Sequence, residues 1–189
     1  MIKIGILGDI GSGKSYVANS FGYPVFNADK EVSRLYKIDK KTYYKLKKIL
    51  PNFFQKFPIE KNQILNAILD KKQNLKKIEN IVHKEVRKKM KVFLKKNKHK
   101  KIVILDIPLL LENKINKKKD ILIFVDSKKR DIQKKLIKRS NYNNELIKKF
   151  NKIQFTSAYK KRKANFIIKN NFTKKSVKNN IKKILNKIL

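Results

Sequence analysis

The 189-residue chain contains no cysteine and no tryptophan. Without cysteine it can form no disulfide framework, zinc ribbon or thiol nucleophile. Glycine is nearly as scarce: Gly5, Gly8, Gly11, Gly13 and Gly22 are the whole supply, all within the first 22 positions. Acidic residues number 14, and none follows Glu145. No apolar run is long enough to cross a bilayer, so no membrane association is expected. The opening Met1-Ile2-Lys3-Ile4 shows no basic leader, apolar region and small-residue cleavage site in succession, so a soluble, cytoplasmic protein is expected. A hydrophobic fraction of 41% excludes a disordered chain. The length suits one domain with a sizeable core, or one domain carrying an insertion.

Lysine is what the chain has in excess. Net charge is +37, yet only five of the 51 basic residues are arginine. Lysine, asparagine and isoleucine together make 92 of the 189 residues. These are the residues of A/T-rich codons, and a solvated surface tolerates lysine cheaply, so base-composition drift accounts for the excess without a polyanionic partner. Lysine also lacks the planar fork with which arginine reads phosphates and base edges. Nucleic-acid binding driven by charge is a rival that predicts tight, steeply salt-dependent association. The lysines are scattered through every segment and no stacking-aromatic motif of an RNA-binding sheet appears, so no specific nucleic-acid partner is expected.

Apolar patterning gives the architecture. Ile2 to Leu7 is a β-branched run stopped by glycines, a buried first strand. A glycine-rich turn follows, and a helix begins at Lys14. Pro24-Val25-Phe26 reads as a second strand ending at Asn27-Ala28-Asp29. From about Lys30 to Lys98 the pattern is helical, with Leu75, Ile78, Val82, Val86, Met90 and Phe93 forming one stripe. Ile102 to Asp106 and Ile121 to Asp126 are continuous apolar runs, as parallel strands covered on both faces require. Lys128 to Ser140 and about Asn144 to Ala164 read as helices, Phe166 to Ile168 as a fifth strand. A closing helix carries Val177, Ile181, Ile184, Leu185, Ile188 and Leu189. Alternating strands and helices predict a three-layer α/β domain with a five-stranded parallel sheet.

Gly8-Asp9-Ile10-Gly11-Ser12-Gly13-Lys14-Ser15 fits G-x-x-x-x-G-K-[ST] and lies between a predicted strand and a predicted helix, the context that gives this phosphate-binding loop its meaning. Glycines let successive backbone N–H groups turn inward onto phosphate oxygens. Lys14 is expected to reach the β- and γ-phosphates, and the Ser15 hydroxyl to ligate Mg²⁺. Transfer to a hydroxyl also needs a carboxylate near the γ-phosphate. Asp29, just past the second strand, is the candidate, with a helix N-cap as its equally weighted alternative.

These and further segments resemble the dephospho-CoA kinase family. Ile10 to Ser15 with Val17-Ala18, then Val25-Phe26-Asn27-Ala28-Asp29, are similar to its loop and V-x-D-A-D. Ile81-Val82-His83-Lys84-Glu85-Val86-Arg87 resembles its H-P-x-V-R, and Leu105-Asp106-Ile107-Pro108-Leu109-Leu110-Leu111-Glu112 its D-x-P-L-L-x-E. Val125-Asp126, Arg139, Gln154, Lys160, Ala164-Asn165 and Ile168-Lys169-Asn170 follow its later spacing. The departures are Asp9 for a glycine, Tyr16 for a threonine, Asn27 and Asn165 for aspartates, and Lys84 for a proline.

The resemblance implies a P-loop NTPase fold with its core in 1–29 and 100–189, a helical acceptor-binding insertion at about 30–99 and a small lid at about 138–150. It implies ATP-dependent phosphorylation of the ribose 3′-hydroxyl of dephospho-CoA, with Mg²⁺, by a monomer or weak homo-oligomer. Asp9 to Ser15 would hold the nucleotide. Asp29 would prime the hydroxyl, and Arg139 would neutralise transferring charge from the lid, with Lys135 one turn earlier. His83 and Arg87 could meet the acceptor, or be solvated surface residues. Asp106 could hold the metal through water, or serve its turn structurally. Glu112 is divided between acceptor binding and capping or an ion pair. Another P-loop kinase, for a nucleoside monophosphate or for shikimate, is the alternative function.

Overall fold

The structure, a computed structural model, describes residues 1–138 and 153–189. Among these, the elements in chain order are β1 (Ile2–Gly8), α1 (Lys14–Ser20), β2 (Val25–Asn27), α2 (Ala28–Ile38), α3 (Lys40–Ile49), α4 (Lys61–Asp70) and α5 (Lys72–Lys96). There follow β3 (Ile102–Asp106), β4 (Ile121–Asp126), α6 (Lys129–Ile137), α7 (Ser157–Lys163), β5 (Phe166–Lys169) and α8 (Lys174–Ile188). The chain divides into two compact units, 1–27 with 97–189, and 28–96.

The first unit is built on a parallel sheet of order β2-β3-β1-β4-β5. Ile4, Ile6, Ile102, Ile104, Ile123, Val125 and Ile168 line one face, packed against Val17, Ala18 and Phe21 of α1 and its following turn and Val177, Ile181 and Ile184 of α8. The alternate positions, Val103, Leu105, Leu122 and Phe124, are buried too. Leu110 and α7 cover that side: the Lys161 ammonium stands 5.5 Å from the centre of the Phe124 ring. Each fully buried aliphatic side chain contributes on the order of 2 kcal/mol, so coverage of both faces explains why the strands read as unbroken apolar runs. β5 is the exception. Only Ile168 is buried, while Ile167 is 47% exposed; β5 is one of the two outer strands of the sheet.

The second unit is helical. Leu35, Tyr43, Leu46, Leu50, Phe54, Ile59, Ala67, Ile78 and Val82 form its core. The Asp39 side chain caps α3 by accepting from the Thr42 N–H at 3.1 Å, the usual role of aspartate at that position.

Three expectations need correction. The stripe on α5 admits Ile78 and Val82, but Leu75 is 38% exposed and the polar Asn74 is buried instead. Asn74 is tolerated because its amide donates to the Ala67 carbonyl at 2.9 Å, tying α5 to the end of α4. Leu189, expected on the buried face of α8, is 65% exposed. The helix expected to run to Ala164 is interrupted before Ser157, where Thr156 is extended and its hydroxyl accepts from the Tyr159 N–H. The rest of that span, the lid at about 138–150 and Arg139 lie outside the described residues, Lys138 excepted.

Candidate active site

The Gly8 to Ser15 segment leaves the C-terminal end of β1, the central strand, which is the edge where parallel sheets bind ligands. Two of its glycines are forced. Gly11 has φ +83°, and a Cβ there would lie 2.9 Å from Leu136. Gly13 has φ +89°, and a Cβ there would lie 2.5 Å from the Asn170 amide nitrogen. Both positions combine left-handed backbone with close approach, which excludes any side chain. The Ser12 N–H closes the bend on the Asp9 carbonyl at 3.1 Å.

The bend is held from outside by side chains of other elements. The Ser12 carbonyl accepts from the Ser127 hydroxyl and from the Asn170 amide, each at 2.9 Å. Asn170 is 3% exposed, and its amide oxygen accepts from the Phe172 N–H at 2.9 Å. One side chain after β5 therefore ties the loop to the 170–173 turn. Phe172 has φ +64°, a left-handed conformation that costs a bulky residue on the order of 1 kcal/mol. The Lys14 ammonium lies over the loop, donating to the Gly8 and Asp9 carbonyls at 3.1 and 2.8 Å. Ser15 is exposed at the start of α1.

Asp9 replaces a glycine of the family pattern, and its charge is met by α7. Its carboxylate accepts from the Ser157 hydroxyl at 2.6 Å and pairs with the Lys160 ammonium at 3.5 Å. The Lys160 side chain is 3% exposed and also donates to Gln154 at 2.7 Å. A desolvated ammonium requires such partners. The negative charge at the loop is thus compensated within the protein.

Asp106, at the end of β3, is 3% exposed and accepts from the Asn27 amide at 2.5 Å. The amide at position 27 is a donor. Asn165 ties the chain ahead of β5 to β4: its side-chain oxygen accepts from the Leu122 N–H at 2.8 Å, and its backbone N–H donates to the Leu122 carbonyl at 2.8 Å, bonds that an aspartate would make equally. Glu112 accepts from the Phe155 N–H at 2.9 Å, one residue ahead of the Thr156 cap of α7.

In the helical unit, Asp29 stands in the first turn of α2, two residues beyond the end of β2. His83 and Arg87 lie four residues apart on α5, both exposed. Between them Glu85 is 12% exposed and bonds Lys45 at 2.5 Å and Lys88 at 3.1 Å. The Lys45 hydrogen bond, foremost, holds its carboxyl below the usual glutamate range. Burial pushes the Tyr36 phenol up to about 12.

Two clefts that the motif alone does not announce share Lys135 and Phe172, and the first of them lies beside the loop. One, of about 350 Å³, is lined by Gly11, Gly13, Tyr16, Lys135, Phe172 and Lys174. The other, of about 250 Å³, is lined by Asp131, Lys134, Lys135, Lys138, Asn171 and Phe172. Among the described residues no group of three or more histidine, aspartate or glutamate side chains is placed to hold a metal ion. Mg²⁺ does not require one, since it commonly binds through one or two protein oxygens, with substrate phosphates and water completing its shell. Ser15 and Asp106 suit that pattern.

A glycine-lined bend between a central parallel strand and a helix, with lysine and serine next in sequence, defines a P-loop nucleotide-binding protein. The profile of the dephospho-CoA kinases matches residues 2–176. The dephospho-CoA kinase of Wolbachia sp. subsp. Brugia malayi (strain TRS) is 30% identical over 190 residues, covering 98% of this chain and 97% of that one. The chain belongs to the dephospho-CoA kinase family. TT1252 from Thermus thermophilus matches with a TM-score of 0.78 at 24% identity, covering 100% of this chain and 98% of that one. The dephospho-CoA kinase from Campylobacter jejuni matches at 0.65 and 23%, covering 98% and 96%. These two structures share the fold.

Proposed function

We propose that the chain transfers the γ-phosphate of ATP to the ribose 3′-hydroxyl of dephospho-CoA, giving CoA and ADP in the last step of coenzyme A biosynthesis. The observation that carries this is the Gly8–Ser15 bend, clamped through the Ser12 carbonyl, in a chain of this family.

The inward N–H groups of the loop bind the phosphates. Lys14 exchanges its bonds to the loop carbonyls for phosphate oxygens and offsets charge on the transferring group. Asp29 orients the 3′-hydroxyl and takes its proton as that oxygen attacks phosphorus and the bond to ADP breaks. Arg139 adds positive charge from the lid. Ser15 and Asp106 would hold Mg²⁺, which would draw negative charge from the β- and γ-phosphates. His83 and Arg87 bind anionic groups of the acceptor, and Glu112 supports the acceptor side by fixing the Phe155 segment. We place the reaction in the cytoplasm, carried out by a monomer or weak homo-oligomer without a specific nucleic-acid partner. No helix among the described residues is long and apolar enough to cross a membrane.

ADP release is measured with and without dephospho-CoA. Formation only with it is expected, and preference for a nucleoside monophosphate or shikimate overturns the acceptor. Asp29→Ala should lower kcat by roughly 10²- to 10⁴-fold, the usual contribution of a general base, with ATP binding retained. Near-normal turnover refutes that role.

A further inference from the structure

Phe172 belongs to no motif of the loop and occupies a backbone conformation that suits glycine, at φ +64°. Strain at a non-glycine position persists where the surroundings enforce it, and such positions cluster at ligand sites. Here the enforcement is visible: the Asn170 side chain accepts from the Phe172 N–H while donating to the Ser12 carbonyl of the loop. The ring is consequently delivered to one place. Its edge comes within 3.5 Å of where a Cβ on Gly13 would stand. The Lys135 ammonium lies over it, 5.5 Å from its centre, a cation–π distance. Both clefts, the one beside the loop and its neighbour, are lined by Phe172 and Lys135 together.

We propose that Phe172 is the stacking surface for the base of the bound nucleotide, and that it makes the site select purines by ring area rather than by edge-reading hydrogen bonds. The inference rests on the assignment of the loop as a nucleotide site. The lining supports recognition by face. Apart from Asp131 and Tyr16, the side chains that could read a base edge are lysine ammoniums on flexible stems and Asn171, whose oxygen is already occupied by the N–H and hydroxyl of Thr173. Stacking of a base on an aromatic ring is tolerant of base identity and grows with overlap. Adenine and guanine should therefore bind alike, and both better than cytosine or uracil.

The test is direct binding of ADP, GDP, CDP and UDP by calorimetry to the full chain and to Phe172→Gly and Phe172→Tyr, independent of any acceptor. ADP and GDP should bind within about threefold of each other, and at least fivefold tighter than CDP and UDP. Phe172→Gly should weaken ADP roughly tenfold, the order expected for losing one aromatic stack, and level the four nucleotides. Phe172→Tyr should restore most of that loss. Relief of the left-handed strain should keep the melting temperature of Phe172→Gly no more than about 3 °C below the parent. ADP affinity unchanged in Phe172→Gly, or lost only in step with a large fall in melting temperature, overturns the platform while leaving the loop assignment intact. Failure of the parent chain to bind any of the four overturns both.

Discussion

Asn170 offers the sharpest test of how the phosphate loop is held. Its side chain makes two hydrogen bonds, to the Ser12 carbonyl and from the Phe172 N–H, each 2.9 Å long, in a setting only 3% exposed. Asn170→Ala removes both at a net cost of about 1 kcal/mol apiece. The consequences at the two ends differ. The Ser12 carbonyl keeps its bond from the Ser127 hydroxyl at 2.9 Å, so it is not orphaned. The Phe172 N–H is part-buried and can recover partly through water. The expected loss is therefore about 2 kcal/mol, or roughly 4–8 °C in Tm for a chain of this size. Ser127→Ala alone should cost about 1 kcal/mol. The double variant should cost about 1–3 kcal/mol more than the sum, because only then is the buried carbonyl left without a partner. With no tryptophan in the chain, urea unfolding is best followed by circular dichroism. A single-variant loss below about 0.5 kcal/mol, or strict additivity in the double variant, would falsify the clamp.

Two further outcomes follow from charge. Asp9→Asn leaves the buried Lys160 ammonium without a counter-charge, with the neutral Gln154 oxygen still bonded to it, whereas Lys160→Met removes that charge and leaves Asp9, whose side chain is 39% exposed, to water. Asp9→Asn should thus be the more destabilising, by about 1 kcal/mol or more; equal losses in chemical denaturation contradict the pairing. Glu85 has a folded pKa below its unfolded value, chiefly through Lys45, so its contribution is complete above the unfolded pKa and lost as pH falls through the folded one. Stability measured from pH 6 down to pH 3 should fall less steeply in Glu85→Gln, and an unchanged slope refutes the assignment.

The phosphate loop was legible because its constraints are local. Positive φ at Gly11 and Gly13, the strand before them and the helix after them all leave marks within a dozen residues. The parallel sheet was legible for a related reason: strands buried on both faces cannot alternate, so Ile102–Asp106 and Ile121–Asp126 stand out as unbroken apolar runs. Leu75 and Asn74 show the limit of that logic. Periodicity nominates the leucine, but the adjacent end of α4 offers a carbonyl that makes the asparagine the better buried residue.

What the amino-acid order determined by itself is the nucleotide cradle, the α/β class and the family, each encoded in residues near one another or in a pattern of burial. What only the fold decided is which distant groups hold that cradle. Asn170 reaches Ser12 across 158 positions, Ser157 reaches Asp9 across 148, and Asn27 reaches Asp106 across 79. No spacing rule links such pairs, because their contact is produced by strand order and helix packing. Phe172 belongs with them: its place beside Gly13 and Lys135 comes from a turn bent by Asn170, a distortion that hydrophobic pattern cannot express.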